Sequence, residues 1–438
     1  MPPPHQIVLR EWETLSPDTD ECVAGLSLGD DSALEGLARE LSERGLLGVA
    51  QLRSGLQVRA TSFVGRVGLG SVEIVVSPKI PGLTLLHLLR YAYGLRNLEL
   101  YGDVEHAFQR GGFQELLVSQ LAEEAEELVA RGLRREYQLR RATLAVPRGR
   151  IDFQTLARRR PGETASLPCQ HHPRVEDCLV NQVLLAGVRL AIRVTQEVAL
   201  RARLQRTAAQ LADAVSDVDL SPHLLARLDR HTSRLTTAYQ PAVALIELLV
   251  TSQGTRFEGA KTPIPLPGFL FDMNHFFQAL LGRFLRDNIP GYELKEQYML
   301  KDMLAYAAGY NPLSRRAPRP RPDFVVMRQG HPVAMVDAKY RDLWDQSLPE
   351  HMLYQLCAYA LSRESGGTAT ILYPTLHEEA SEARINIREP VYGGNRGQVV
   401  LRPVHMARLE RLVATAPTAP PAARVAYARY LALGERGS

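Results

Sequence analysis

Cysteine is scarce in this chain. Cys22, Cys169, Cys178 and Cys357 are the only four in 438 residues, too few and too scattered to staple a protein of this size, so a disulfide framework is excluded. Cys169, His171, His172 and Cys178 together offer four soft ligands, but with none of the paired spacings of a zinc site. Long apolar runs are also missing. Arg189 and Arg193 interrupt 183–194 and Glu247 interrupts 242–250, leaving nothing near the roughly 20 apolar residues that span a bilayer. Residues 1–12 lack the basic-then-apolar order of a signal peptide, so the expectation is a cytoplasmic protein with no membrane contact. There is no internal repeat. Strong charge of one sign is absent as well: the net charge is +4, so any grip on nucleic acid must come from local patches. A nucleotide loop is lacking. The stretch "GTRFEGAKT", 254–262, comes near one, but Ala260 parts Gly259 from Lys261, and Pro263 and Pro265 stand where the helix should begin. It reads as a linker, so this chain binds no nucleotide itself and any GTP or ATP dependence must come from another subunit.

What is present is an ordinary globular composition, 45% apolar and 23% charged, long enough for two or three domains. Residues 51–80 alternate apolar and polar and are broken by glycines, the pattern of a small antiparallel β-unit. Helical periodicity follows over 83–93, 113–130, 179–215 and 222–250. "TPIPLP", 262–267, marks a boundary, because three prolines in six residues fit neither a helix nor a central strand. Beyond it the pattern predicts a helix over 273–286, a strand over 293–300, a hairpin over 321–342, a helix over 348–363 and a strand over 368–373, an αβββαβ order. A linker from 414 leads to a short apolar helix over 425–433. The expected class is thus α+β or α/β. Its expected parts are a β-rich N-terminal domain (1–105), a mainly helical middle region (106–261), a mixed α/β domain (262–405) and a tail (406–438).

The hairpin carries the chemistry. In "RPDFVVMRQGHPVAMVDAKYRD" the β-rich runs flank "RQGH", where Gly330 can supply the positive φ of a tight turn. Antiparallel pairing brings Asp323 near Asp337, and Asp337 and Lys339, two apart, project to one face. Two carboxylates and an ammonium then share a small volume. Carboxylate oxygens suit Mg²⁺, and the Ala338 carbonyl could add another ligand. A metal so placed acidifies a water and offsets charge growing on phosphorus, while a neighbouring lysine orients or deprotonates that water. On the next helix Gln355 and Tyr359 are four apart and share a face, where an amide could hold a water or a phosphate oxygen; seen in isolation, a glutamine and a tyrosine on a helix are more often ordinary, partly buried residues. Ahead of the hairpin Arg315, Arg316, Arg319 and Arg321 form a basic cluster. Ten more arginines crowd 131–160 against only Glu136 and Asp152, a pattern that fits a solvated face as well as a nucleic-acid contact.

The order Pro322-Asp323, Asp337-Ala338-Lys339, Gln355 and Tyr359 resembles the PD-(D/E)XK nuclease superfamily. Together with "FVGRVGLGSVEIVVSPKIPG", "LAVPRGRIDF", "VEDCLVNQVLLAGVRLA" and "PGFLFDMNHFFQALLGRFL", it is similar to the McrC family, the nuclease subunits of modification-dependent restriction systems. The resemblance implies a C-terminal restriction-endonuclease-like domain that cuts double-stranded, modified DNA with Mg²⁺ (Mn²⁺ substituting), and an N-terminal region that docks onto a McrB-like AAA+ GTPase hexamer. It places Asp323 and Asp337 as metal ligands and Lys339 as catalytic lysine, while the basic cluster Arg315, Arg316, Arg319 and Arg321 is the candidate DNA contact read from local charge. One departure stands out. Family members commonly carry a glutamate in the helix after "FDMN", and Gln278 matches it here, with Glu293 or Glu296 as substitutes. For contact with the partner, Arg66, Lys79 and Asn97 are candidates, each equally a plain surface residue. Two other readings stay open: a stand-alone repair nuclease, and an adaptor with an impaired nuclease that activates the partner's NTPase.

Overall fold

A computed structural model describes residues 5–29, 32–95, 112–158, 166–230, 234–252, 268–300, 303–362, 367–414 and 421–435. The proline-rich boundary at 262–267, the loop-like stretch 254–262, Asn97, Arg159 and Arg160 lie outside them. The chain divides into two units, one built from 1–109 with 270–438 and the other from 110–269. The N-terminal β-rich segment, the hairpin segment and the tail therefore fall in one unit. No helix of the described residues is long and apolar enough to cross a membrane.

The N-terminal part of the first unit begins with β1 (His5–Arg10), where Ile7 and Leu9 are buried and their neighbours exposed, the period-two signature of a half-buried strand. β2 (Thr14–Leu15), helix α1 (Ser32–Glu43), β3 (Leu47–Leu52), β4 (Gly55–Ala60), β5 (Phe63–Leu69) and β6 (Val72–Ser77) follow, then α2 (Gly82–Tyr93). β2, β3 and β4 make a small antiparallel sheet. β1 lies parallel to β6 although more than sixty residues separate them, a pairing that alternation within 51–80 could not reveal.

The second unit holds α3 (Gly112–Arg131), β7 (Glu136–Tyr137), β8 (Arg140–Leu144), β9 (Arg150–Ile151), α4 (Phe153–Ala157), β10 (Leu167–His171), β11 (Arg174–Val175), α5 (Leu179–Val194), α6 (Val198–Ala212), α7 (Pro222–Arg230) and α8 (Gln240–Ser252). The single helix expected over 179–215 is two helices. Thr195 adopts an extended conformation, and Glu115 of α3 accepts from both the Thr195 hydroxyl and the Gln196 N–H, so the break is held by a tertiary partner. Likewise a 3-10 turn, Arg234–Tyr239, splits the helix expected over 222–250. At Gly187 a Cβ would sit 2.3 Å from the Ile246 side chain, so only glycine lets α5 and α8 approach this closely.

The first unit resumes with β12 (Gly268–Asp272), which completes a sheet of order β1-β6-β5-β12. Asp272 caps the next helix, α9 (Met273–Asn288), by accepting from the Asn274 and His275 N–H groups. β13 (Glu293–Glu296), β14 (Phe324–Arg328), β15 (His331–Ala338), α10 (Glu350–Leu361), β16 (Gly367–Thr375), β17 (Ala383–Arg388) and β18 (Asn395–His405) follow. Their mixed sheet runs β13-β14-β15-β16-β18-β17. Its first three strands are antiparallel, and β15, β16 and β18 are parallel. α11 (Met406–Val413) and α12 (Pro421–Leu433) close the chain. The tail helix is no loose appendage: the buried Tyr427 meets Phe284 edge-on at 6.0 Å, and the Arg402 guanidinium donates to the Leu431 carbonyl at 2.8 Å.

Just past β1, Glu11 joins the N-terminal segment to the end of β15. Its Oε2 accepts from the Tyr340 hydroxyl at 3.1 Å and from the Lys79 N–H at 3.2 Å. Burial pushes its carboxyl from 4.5 up to about 8, against the lowering effect of the Lys79 N–H. Between those two values the folded state keeps a proton that the unfolded state has lost, so stability falls as pH rises through that window. Glu11→Gln should flatten this dependence: between pH 5 and pH 9 the wild-type melting temperature is expected to drop several degrees further than that of the variant, measured by thermal denaturation.

Candidate active site

The hairpin β14–β15 turns through Gln329 and Gly330, both at positive φ (50° and 81°), the backbone that a two-residue turn needs to match strand twist. A register shift at Val326/Met327 follows, and toward the far end Phe324 pairs with Val336. Asp323 is thereby set against the end of β15. Its Oδ2 accepts the Ala338 N–H at 2.9 Å. The Lys339 Nζ stands 2.7 Å from Asp337 Oδ2 and 3.5 Å from Asp323 Oδ2. The Lys339 N–H donates to the Leu372 carbonyl of β16 at 3.0 Å, fixing the lysine's backbone to the centre of the sheet.

Both acids are nearly shut off from water, Asp323 at 6% and Asp337 at 3% exposure. Burial, and then the charge of Asp323, raises the Asp337 carboxyl to about 6, with Lys339 pulling the other way. Burial works against the Lys339 ammonium, but the two carboxylates outweigh it and its pKa is raised. One detail bears on metal binding: Asp337 Oδ1 is buried and has no hydrogen-bond partner. An orphaned carboxylate oxygen beside a second carboxylate, in an all-oxygen setting, fits a hard divalent cation.

On α10 the Gln355 side chain donates to the Tyr359 hydroxyl at 2.7 Å. Tyr359 is buried, which raises its pKa, and it lies within the electrostatic reach of Asp337, Asp323 and Lys339. Gln278 is half-buried on α9, and among the described residues no hydrogen bond or ion pair joins it to Asp323, Asp337 or Lys339. Glu296 pairs with Arg286, and Glu293 with Lys295. Arg315, Arg316, Arg319 and Arg321 are exposed on the loop before Asp323. In the second unit Cys169, His171, His172 and Cys178 do not gather three ligand atoms. Arg66 is paired with Glu73 at 3.3 Å.

Two positioning residues carry no signal in the sequence pattern. Gln297, at φ 49°, donates its N–H to the Asp323 carbonyl at 2.9 Å and its side-chain amide to Asp323 Oδ1 at 3.0 Å. Asn274 accepts the Tyr340 N–H at 3.2 Å and donates to the Ser62 hydroxyl at 2.6 Å. Only the run "EQY" after a strand points toward Gln297, and nothing in it signals a positive φ.

The fold and site define a mixed α+β protein with a buried acid pair and a lysine at the end of a central hairpin. A family model described as "McrBC 5-methylcytosine restriction system component" matches residues 58–374, well over half of the chain, and the chain belongs to that family. It is similar over 93% of its length to 98% of a chain in the refined half-complex from a tetradecameric assembly of Thermococcus gammatolerans McrB AAA+ hexamers with bound McrC, at 19% identity and a TM-score of 0.56. The cryo-EM structure of the Thermococcus gammatolerans McrBC complex matches at 22% identity, covering 65% of this chain and 88% of that one, with a TM-score of 0.45. No curated protein matches.

Removing the cation should drive the acid pair further from its ordinary state. Lys339→Met is expected to raise the Asp337 pKa above its value of about 6, read by ¹³C NMR titration of the aspartate carboxyls; an unchanged midpoint would mean that the lysine does not face the pair.

Proposed function

We propose that this chain is the DNA endonuclease subunit of a modification-dependent restriction complex, cutting double-stranded DNA when a McrB-like AAA+ GTPase licenses it. The observation that carries this reading is the orphaned Asp337 Oδ1, held beside Asp323 and Lys339 in a site that water barely reaches. The order α9, β13, β14, β15, α10, β16 resembles the αβββαβ layout of PD-(D/E)XK nucleases and supports placing the nuclease within 262–405. Asp323, Asp337 and the Ala338 carbonyl would hold Mg²⁺, or Mn²⁺ in its place. When bound, the ion would supply positive charge against the phosphodiester and acidify a water.

The chain's own groups do the rest. The Ala338 N–H and the Gln297 amide fix both Asp323 oxygens, so the carboxylate presents one orientation without reorganising. Lys339 offsets part of the acid pair's charge in the free protein, and its ammonium is within reach to orient a water or a phosphate oxygen once DNA arrives. Gln355, steadied by Tyr359, adds an amide for the same purpose. The exposed arginines at 315, 316, 319 and 321 form no ion pair among the described residues and would meet the phosphate backbone. The N-terminal segment, 1–105, would dock the partner. Two features support this assignment: the sequence has no nucleotide loop of its own, and the similar chain was solved with McrB AAA+ hexamers.

A second reading has one observation in its favour. Gln278 brings no charge to the site, so the chain could act as an adaptor that stimulates the partner's hydrolysis while its nuclease is impaired. Both readings are tested by cleavage of modified duplex DNA with Mg²⁺, by wild type and Asp337→Ala, each alone and with the AAA+ partner plus GTP or ATP. We expect cutting only by wild type, only with partner and nucleotide, and a loss of at least about 10²-fold in the variant with partner binding retained. Cutting by wild type alone would favour a free-standing nuclease. Stimulated NTP hydrolysis without cutting would favour the adaptor.

Replacing Arg315, Arg316, Arg319 and Arg321 with serine should weaken DNA binding evenly across sequences. The slope of log affinity against log salt is expected to fall by about 0.9 for each phosphate that the variant no longer neutralises, measured by fluorescence anisotropy.

A further inference from the structure

The carboxyl ends of parallel strands in an open sheet are where ligands tend to gather, and beside the proposed nuclease centre that edge carries a second cluster. The loop after β15 supplies Asp342 and Asp345, and the segment just past β16 supplies His377. One ligand atom from each, two carboxylate oxygens and an imidazole nitrogen, lie within 4.8 Å of one another. His377 Nε2 is 3.1 Å from Asp345 Oδ1, and its Nδ1 is 3.4 Å from Glu379 Oε1. Asp342 Oδ1 accepts the Trp344 N–H at 2.9 Å, which ties the turn and holds that carboxylate in place. The backbone of His377 is fixed too: its N–H donates to the Thr375 hydroxyl, and its carbonyl is 3.1 Å from His405 Nδ1 at the end of β18.

A second observation, independent of that cluster, points to a ligand. Asp342, Asp345 and His377 line a cavity of about 90 Å³, open to solvent, together with Glu11 and Trp12. Glu11 is 1% exposed, its Oε2 is engaged by Tyr340 and Lys79, and its Oε1 is buried with no hydrogen-bond partner. A buried carboxyl oxygen without a hydrogen bond is destabilising unless a bound species meets it, and Glu11 lines this cavity. Lys79 is a cationic side chain on this wall, and acids outnumber it.

We propose that Asp342, Asp345 and His377 form a second cation site, distinct from the acid pair on β14 and β15, that takes a transition-metal ion such as Zn²⁺ or Co²⁺ and clamps the loops after β15 and β16. The donor set decides the class. Imidazole with two carboxylates favours zinc, cobalt or nickel over magnesium, whereas an all-oxygen site favours magnesium. Metal–ligand bonds of about 2.0–2.2 Å require small rotations that draw these side chains together, and the exposure of His377 and Asp345, 41% and 48%, leaves them room to move.

The chain carries its own reporter. Its two tryptophans, Trp12 and Trp344, are a wall of this cavity and the residue whose N–H binds Asp342. The test is titration of full-length Asp337→Asn with Co²⁺ in excess Mg²⁺, following tryptophan emission, with and without the added changes His377→Ala or Asp345→Asn. We expect a saturable quench, reversed by Zn²⁺, whose midpoint shifts at least tenfold in each added variant while the circular dichroism spectrum is unchanged. No saturable quench, or the same midpoint in both variants, would overturn the site.

Discussion

The Ala338 N–H donated to Asp323 Oδ2 is the interaction on which the rest of the site depends. It locks the end of β14 to the end of β15 at the point where two carboxylates would otherwise repel each other in a place that water barely reaches. Two buried acids cannot both ionise cheaply unless a cation stands between them. In the free protein Lys339 plays that part, reaching both. It still leaves Asp337 Oδ1 without a partner. Two carboxylates thus face a single ammonium, and the proposed nuclease chemistry uses that deficit of positive charge.

Around this anchor the first unit is wrapped from both ends of the chain. β1 enters the N-terminal sheet parallel to β6, and the residue that follows it, Glu11, reaches Tyr340 immediately after Lys339. Ser62 contacts Asn274, which in turn accepts the Tyr340 N–H. From the other end, α12 packs Tyr427 against α9 and ties to β18 through Arg402. Both ends of the chain therefore support the segment just past β15 that bears the lysine.

Much of the site was legible because its signals are local. Gly330 between the β-rich runs "DFVVM" and "PVAMVDAKY" marked a hairpin, period two put Asp337 and Lys339 on one face, and a spacing of four joined Gln355 to Tyr359. The rest depends on contacts between distant residues. Gln297 meets Asp323 only because a positive φ turns its amide inward, and Asp342, Asp345 and His377 come from loops after two different strands. Thr195 breaks a helix because Glu115, eighty residues away, takes the donors it frees. β17, at the sheet edge, is mostly exposed, yet its run "ARINIR" alternates apolar and polar residues and so carries the period-two signal of a strand.

The most direct test of the central claim is anomalous scattering from crystals grown with Mn²⁺. A peak bonded to Asp337 Oδ1 and to a carboxylate oxygen of Asp323 is expected, with Lys339 Nζ displaced from the pair. Manganese bound elsewhere in the crystal, with none between Asp323 and Asp337 and the lysine still seated there, would contradict it.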